Sequence, residues 1–190
     1  MTRFARIISW IGHPLVFVTT CVGIVVFTQL ASRAAMPILA ALVLSVIVPT
    51  AILLFLGVRS GRWRDADVSV REERTRFYPV AIPLSAVGTA MSWLVGAPRY
   101  ILRGGIVTLL LLVTAAITNL WHKISLHALF ASYCTVVLFR LNPAYGLASL
   151  LLAALVFWAR LFLARHSFAE TLGGAVLGVA GGVATAWLSI

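Results

Sequence analysis

The chain has 190 residues, 62% hydrophobic and 11% charged, with a formal net charge of +10 and a mean hydropathy of +1.04. A soluble domain runs about 45–50% apolar and about 25% charged, so a water-soluble globule of this length and a disordered chain are both excluded. A pI near 11.3 would suggest nucleic-acid binding in a soluble protein; here the basic residues fall mostly between apolar runs, where they anchor helix ends, and no nucleic-acid partner is expected.

A spanning helix needs about 20 mostly apolar residues, so seven would use about 140 and leave roughly 50 for ends and loops. The first predicted span runs from Pro14 to Ala31, after an interfacial stretch around Phe4 to Ile11, and the second from Met36 to Val58. Arg59 to Tyr78, RSGRWRDADVSVREERTRFY, is the only long polar segment, with six Arg and four of the five acidic residues. Pro79 opens a third span that ends near Gly96. Arg99 and Arg103 mark a short turn before a fourth, from Gly105 to about Leu120. The segment WHKISLHA leads into a fifth span ending near Phe139. A sixth covers Gly146 to Phe162, and Arg165 and His166 precede the last, Ala169 to Leu188. Cys21 and Cys134 sit inside apolar runs and read as buried small hydrophobes rather than a disulfide. No cleavable signal peptide is expected.

The expected fold is all-α: a polytopic helical membrane protein of six to seven transmembrane helices, one domain over residues 1–190. Three polar segments (Arg59–Tyr78, Trp121–His127 and Arg160–Glu170) each follow an even-numbered span. They therefore share one membrane face with the N-terminus, together with three His, the only Lys and every acidic residue. One active site at the helix ends on that face is the economical reading.

Arg160, His166 and Glu170 stand where apolar residues belong, and an ionisable group at membrane depth costs about 2.5–3.5 kcal/mol on insertion scales. His166 and Glu170 are i,i+4, which puts both on one helix face. A carboxylate that accepts from one imidazole nitrogen fixes the tautomer and leaves the other nitrogen as nucleophile or base. Lys123 and His127 are again i,i+4, joining a fixed cation to a titratable proton donor, and Ser125 and the turn add groups for an anion. His13 reads as structural and His122 as interfacial. Arg71, Arg74 and Arg76, with Arg59, Arg62 and Arg64, supply planar forks for phosphate oxygens; Asp65 and Asp67 read as solvated or capping residues, and no metal or cofactor is expected. Two His, a carboxylate, a Lys and several Arg fit phosphoryl transfer.

These residues resemble the type 2 phosphatidic acid phosphatase superfamily of membrane lipid phosphatases. Its third motif is Ser-Arg, five residues, His, three residues, Asp; Ala159-Arg160, His166 and Glu170 keep the spacing, with Ala for Ser and Glu for Asp. Its second motif, Pro-Ser-Gly-His, is similar to Ile124-Ser125-Leu126-His127. Its first is Lys, six residues, Arg-Pro. Arg71 with Tyr78-Pro79 keeps that spacing but replaces the Arg, Arg64 with Arg71 keeps it without the Pro, and Arg71 and Arg74 of REER are taken as the pair. The resemblance implies catalysis by His166 as nucleophile, His127 as proton donor and Glu170 as orienter of His166. Arg160, Lys123, Ser125, Arg71 and Arg74 would bind phosphate. It further implies a lipid phosphate phosphatase that works without a metal or other cofactor on a polyprenyl phosphate or diphosphate, phosphatidic acid or phosphatidylglycerophosphate. The alternatives are a lipid phosphotransferase on the same site, or a silent membrane protein or transporter that kept the fold.

Gly174, Gly178 and Gly182 form a stripe suited to packing the last helix on its neighbours, with a homodimer interface as the alternative. The face of the site carries 11 Lys and Arg against four on the other, and 6 against 4 once five phosphate-binding candidates are set aside. This places the site on the cytoplasmic face of the cell or inner membrane, with Ile190 outside.

Overall fold

In the computed structural model, which describes residues 1–187 and side chains through Ala186, the predicted apolar runs all become helix, and the described residues contain no strand. The predicted end of the last span at Leu188 and the placement of Ile190 lie outside the described residues. The helices are α1 (Thr2–Ile11), α2 (Pro14–Gln29), α3 (Ser32–Leu42), α4 (Val48–Arg59), α5 (Arg71–Leu94), α6 (Arg99–Thr118), α7 (Leu126–Leu141), α8 (Pro143–Phe162) and α9 (Phe168–Trp187). A π-helical turn, Val43–Ile47, joins α3 to α4, so Ser32–Arg59 is continuous over 28 residues. Among the described residues five helical stretches are long and apolar enough to cross a membrane, or six when the bent pair α1 and α2 is counted as one span. That agrees with an integral membrane protein and trims the expected count of spans. The shortfall is at α7, whose 16 residues reach about 24 Å at 1.5 Å per residue, less than the roughly 30 Å of a bilayer core.

The chain divides into two compact units, Met1–Cys21 with Lys123–Ile190, and Val22–His122. In the second, α5 packs on α6, on α3 and on the π-helical turn. Here two predicted boundaries are corrected. Helix α5 begins at Arg71 and runs through Pro79 and Pro83, so the last eight residues of the polar segment, Arg71–Tyr78, are helix. A proline inside a helix removes its own N–H donor and crowds the carbonyl four residues back, and membrane helices tolerate this where neighbours re-satisfy the backbone. Glu72 and Glu73 in the first turn favour the earlier start, because they complement the positive end of the helix dipole. Likewise α6 starts at Arg99, after Pro98 in extended conformation, and Arg99 and Arg103 belong to the helix rather than to a turn. What remains of the loop is anchored rather than loose. Trp63 and Val68 are buried, and Trp63 lies over Gly57, where a Cβ would come within 2.1 Å of its ring.

The first unit is built on α7, whose first half, apart from Ser132, is buried between α8 and α9. Helix α9 reaches α7 through its glycines. A Cβ on Gly174 would stand 2.4 Å from the Ser125 carbonyl oxygen, and one on Gly178 2.1 Å from that of Leu129; at Gly182 it would lie 2.5 Å from Val136 Cβ. The stripe thus packs one helix on another within the unit. Helix α1 lies on α8 through Ala5, Ile8, Val156 and Ala159, while Phe4, Ile7 and Trp10 are exposed. The chain then bends by 49° into α2. Both cysteines are buried free thiols, as their setting in the sequence implied.

Gly178→Ala should lower the thermal unfolding midpoint in detergent by the equivalent of at least about 1–3 kcal/mol, the usual range for overpacking. Gly23→Ala, whose Cβ meets nothing within 4 Å, should leave the midpoint unchanged or raise it, since Ala is favoured over Gly inside a helix by about 1 kcal/mol. Equal midpoints for the two variants would contradict backbone contact between α7 and α9.

Candidate functional site

Arg160, Arg165, His166, Glu170, Lys123 and His127 of the first unit lie at the C-terminal end of α8, the turn after it, and the starts of α7 and α9. Helix α8 carries Arg160 in its last turn. The chain turns through Ala164 in the left-handed region (φ 51°), and the Arg165 N–H closes the turn on the Arg160 carbonyl at 3.1 Å. His166 follows, its side chain fully buried, and Ser167 begins α9. The serine hydroxyl accepts from the Glu170 N–H at 3.2 Å, and Glu170 Oε2 accepts from the Ser167 N–H at 3.2 Å. This reciprocal pair is a capping box, which satisfies two donors at the helix start.

Glu170 Oε2 also stands 2.9 Å from His166 Nδ1, so the predicted pair is in contact, though not by the predicted route. His166 lies before the helix, and the turn and cap bring it onto Glu170. With Glu170 ionised, Nδ1 must carry the hydrogen of that bond, and the lone pair of the neutral ring falls on Nε2. Lys123 Nζ is 3.7 Å from the same oxygen and donates to the Arg165 carbonyl at 3.4 Å. About a quarter of the Lys123 and Glu170 side chains is exposed, so the ion pair contributes at most about 1 kcal/mol.

The predicted helical face shared by Lys123 and His127 does not form. Helix α7 starts at Leu126, with Ser125 at the cap, its hydroxyl accepting from the Ala128 N–H at 3.4 Å. Lys123 therefore lies in the irregular chain before the helix, with its ammonium by Glu170. Ser125 is fully buried, and its own N–H donates to the Glu170 carbonyl at 3.0 Å, which ties the starts of α7 and α9 together. His127, in the first turn of α7, is buried.

Two residues of this neighbourhood escaped the reading of the sequence. His13 stands edge-on to His127, with ring centroids 5.4 Å apart and planes at 87°. Ser9 Oγ accepts from Arg160 Nη1 at 2.8 Å, deep in the unit, since Arg160 is only 1% exposed. Neither contact leaves a local pattern, because each joins segments far apart in the chain.

Arg71 and Arg74 belong to the second unit. Arg71 Nη1 donates to the Trp121 carbonyl at 2.8 Å and Nε pairs with Glu72 at 3.6 Å. Arg74 is buried, and its Nε donates to the carbonyl of Val68 at 2.8 Å; Val68 itself has a positive φ of 45°, so the guanidinium is a strut beneath a strained loop. Asp65 accepts from the Ser69 N–H at 3.2 Å and caps that same loop. Among the described residues no three His, Cys, Asp or Glu side chains gather as a metal site.

No protein-family model, curated protein or solved structure matches the chain.

Ring-nitrogen NMR should show His166 of the wild-type protein protonated on Nδ1, and Glu170→Ala should release it to a mixture of tautomers. Ser167→Ala should cost about 1 kcal/mol of stability in a chemical unfolding titration, the usual loss for a helix cap, with the His166 tautomer retained. A His166 spectrum indifferent to Glu170 would contradict the contact.

Proposed function

We propose that the protein is a membrane lipid phosphate phosphatase of the kind its motifs resemble, acting through a phosphohistidine. The observation that carries this reading is the 2.9 Å contact of His166 Nδ1 with Glu170, made where Lys123 also reaches that carboxylate. Nε2 of His166 attacks the phosphorus of the lipid phosphate, and the bond from phosphorus to the lipid oxygen breaks. His127 gives its proton to that oxygen, and the lipid alcohol leaves. His127, now neutral, takes a proton from water. The hydroxide attacks phosphorus, the P–N bond breaks, inorganic phosphate departs and His166 is regenerated. Glu170 holds the imidazole in the productive tautomer and stabilises the positive charge it carries while phosphorylated.

Arg160, Lys123 and the capped start of α7 at Ser125 supply the positive surroundings that phosphoryl oxygens require. Of the loop pair, which belongs to the second unit, Arg74 is committed to the Val68 carbonyl, and Arg71, with 44% of its side chain exposed, holds the Trp121 carbonyl. A substrate whose tail stays in the bilayer suits a site at helix ends. The charge balance of the loops favours the cytoplasmic face.

Purified protein should release phosphate from short-chain phosphatidic acid or a polyprenyl phosphate in excess chelator, with inhibition by vanadate. His166→Ala should abolish release, and His127→Ala should slow it by about 10²–10⁴-fold, the usual contribution of a general acid. Release by His166→Ala at the wild-type rate would overturn the mechanism. Transfer of the phosphoryl group to an alcohol, with none to water, would identify the site as a phosphotransferase instead.

A further inference from the structure

Arg160 is the most deeply buried cation of the first unit, and a guanidinium out of water must be held by hydrogen bonds. One of its holders comes from the other end of the chain. Ser9 lies on α1, itself buried, and its Oγ accepts from Arg160 Nη1 at 2.8 Å. The residue before Arg160 is Ala159, which brings no hydroxyl where the resembling motif has serine, so the hydroxyl against this arginine comes from a separate helix.

A second contact, on different residues, puts the same N-terminal elbow on the same site. His13 takes the cap position of α2. Its carbonyl accepts from the Phe17 N–H at 2.9 Å and its Nδ1 accepts from the Leu15 N–H at 3.3 Å. That leaves the hydrogen of the neutral ring on Nε2, and the ring stands edge-on to His127. Gly12 makes the approach close enough for both contacts: a Cβ there would lie 2.2 Å from Val156 Cγ2 on α8, one turn before Arg160.

We propose that Ser9 is a positioning residue of the site, which fixes the Arg160 guanidinium for a phosphoryl group through the Nη1–Oγ bond, and that α1 is thereby part of the substrate site. This rests on the phosphatase reading above. Arg160 touches the phosphoryl oxygens and Ser9 acts through it. A hydroxyl that holds one edge of a planar fork fixes the plane of the guanidinium, so its loss weakens phosphate binding more than it slows chemistry.

The full-length protein in detergent is assayed with dioctanoyl phosphatidic acid for kcat and KM, and with orthovanadate for inhibition. Ser9→Ala should raise KM and the vanadate inhibition constant about tenfold, the scale of one hydrogen bond to a charged group, with a smaller change in kcat and a lowered melting temperature, since a buried donor loses its acceptor. Ser9→Thr, which keeps the hydroxyl, should recover most of the loss; should Ser9→Ala not fold, Ser9→Cys, with its weakly accepting sulfur, is read in its place. In an Arg160→Lys background, which lacks the fork, Ser9→Ala should add nothing. Wild-type KM and vanadate inhibition in Ser9→Ala, or an undiminished loss in the Arg160→Lys background, would overturn the role of Ser9 and leave the phosphatase standing. A wild-type protein that neither hydrolyses the lipid nor responds to vanadate would overturn both.

Discussion

One carboxylate oxygen organises the first unit. Oε2 of Glu170 meets His166 Nδ1 at 2.9 Å, the Ser167 N–H at 3.2 Å and Lys123 Nζ at 3.7 Å. The start of a helix, the tautomer of a buried imidazole and the position of a cation are therefore set together. This coupling also gives a physical reason for glutamate where the resembling motif has aspartate. The third residue of a capping box must reach back to the N–H of the cap, a span that suits Glu or Gln. A side chain one methylene shorter would give up either the helix start or the histidine. The departure from the motif is thus compatible with an oriented His166.

The glycine stripe of α9 sets the distance at which that carboxylate can work. Because Gly174 lies against the Ser125 backbone, the Ser125 N–H can reach the Glu170 carbonyl, and the irregular chain before it brings Lys123 to Glu170. In a lipid environment helices gain little from hiding apolar side chains from one another, and close backbone packing through small residues takes over. Sequence and site are joined here through packing: three small residues at four-residue spacing fix the approach of two helices, and the approach brings two polar segments into hydrogen-bond contact.

The all-helical architecture and the helix-to-helix role of the glycines could be read from the sequence, because hydropathy over 20 residues and a repeat of four are local signals. The His166–Glu170 contact was read rightly for a partly wrong reason. Its spacing fits a helix face, yet the histidine sits before the cap. The same rule failed for Lys123 and His127, where Ser125 is itself the cap and cuts the pair in two. The start of α5 is harder to place, because Pro79 resembles the first residue of a span, while the acidic pair Glu72 and Glu73, a better signal, lies within the polar segment. Ser9 and His13 had no local signal at all. The Ser9–Arg160 bond joins residues 151 apart, a partnership that only the tertiary fold creates.

That partnership bears on why a guanidinium belongs in this place. Next to Arg160 on α8 stand Val156 and Ala159, both fully buried in the apolar seam with Ala5 and Ile8 of α1. Transfer of a charge to such surroundings carries a penalty of several kcal/mol after relaxation, and a purely structural role at the end of α8 would be served better by an apolar side chain of similar volume. An arginine held there by a hydroxyl from another helix would, in the proposed site, be a fork oriented before any ligand arrives. Binding an anion would then order little more than the anion itself, which is where pre-organised sites gain their affinity. The burial that makes Arg160 costly to the fold is the same burial that would strengthen its hold on a phosphoryl oxygen, since the surroundings that penalise an isolated charge also screen a paired one least.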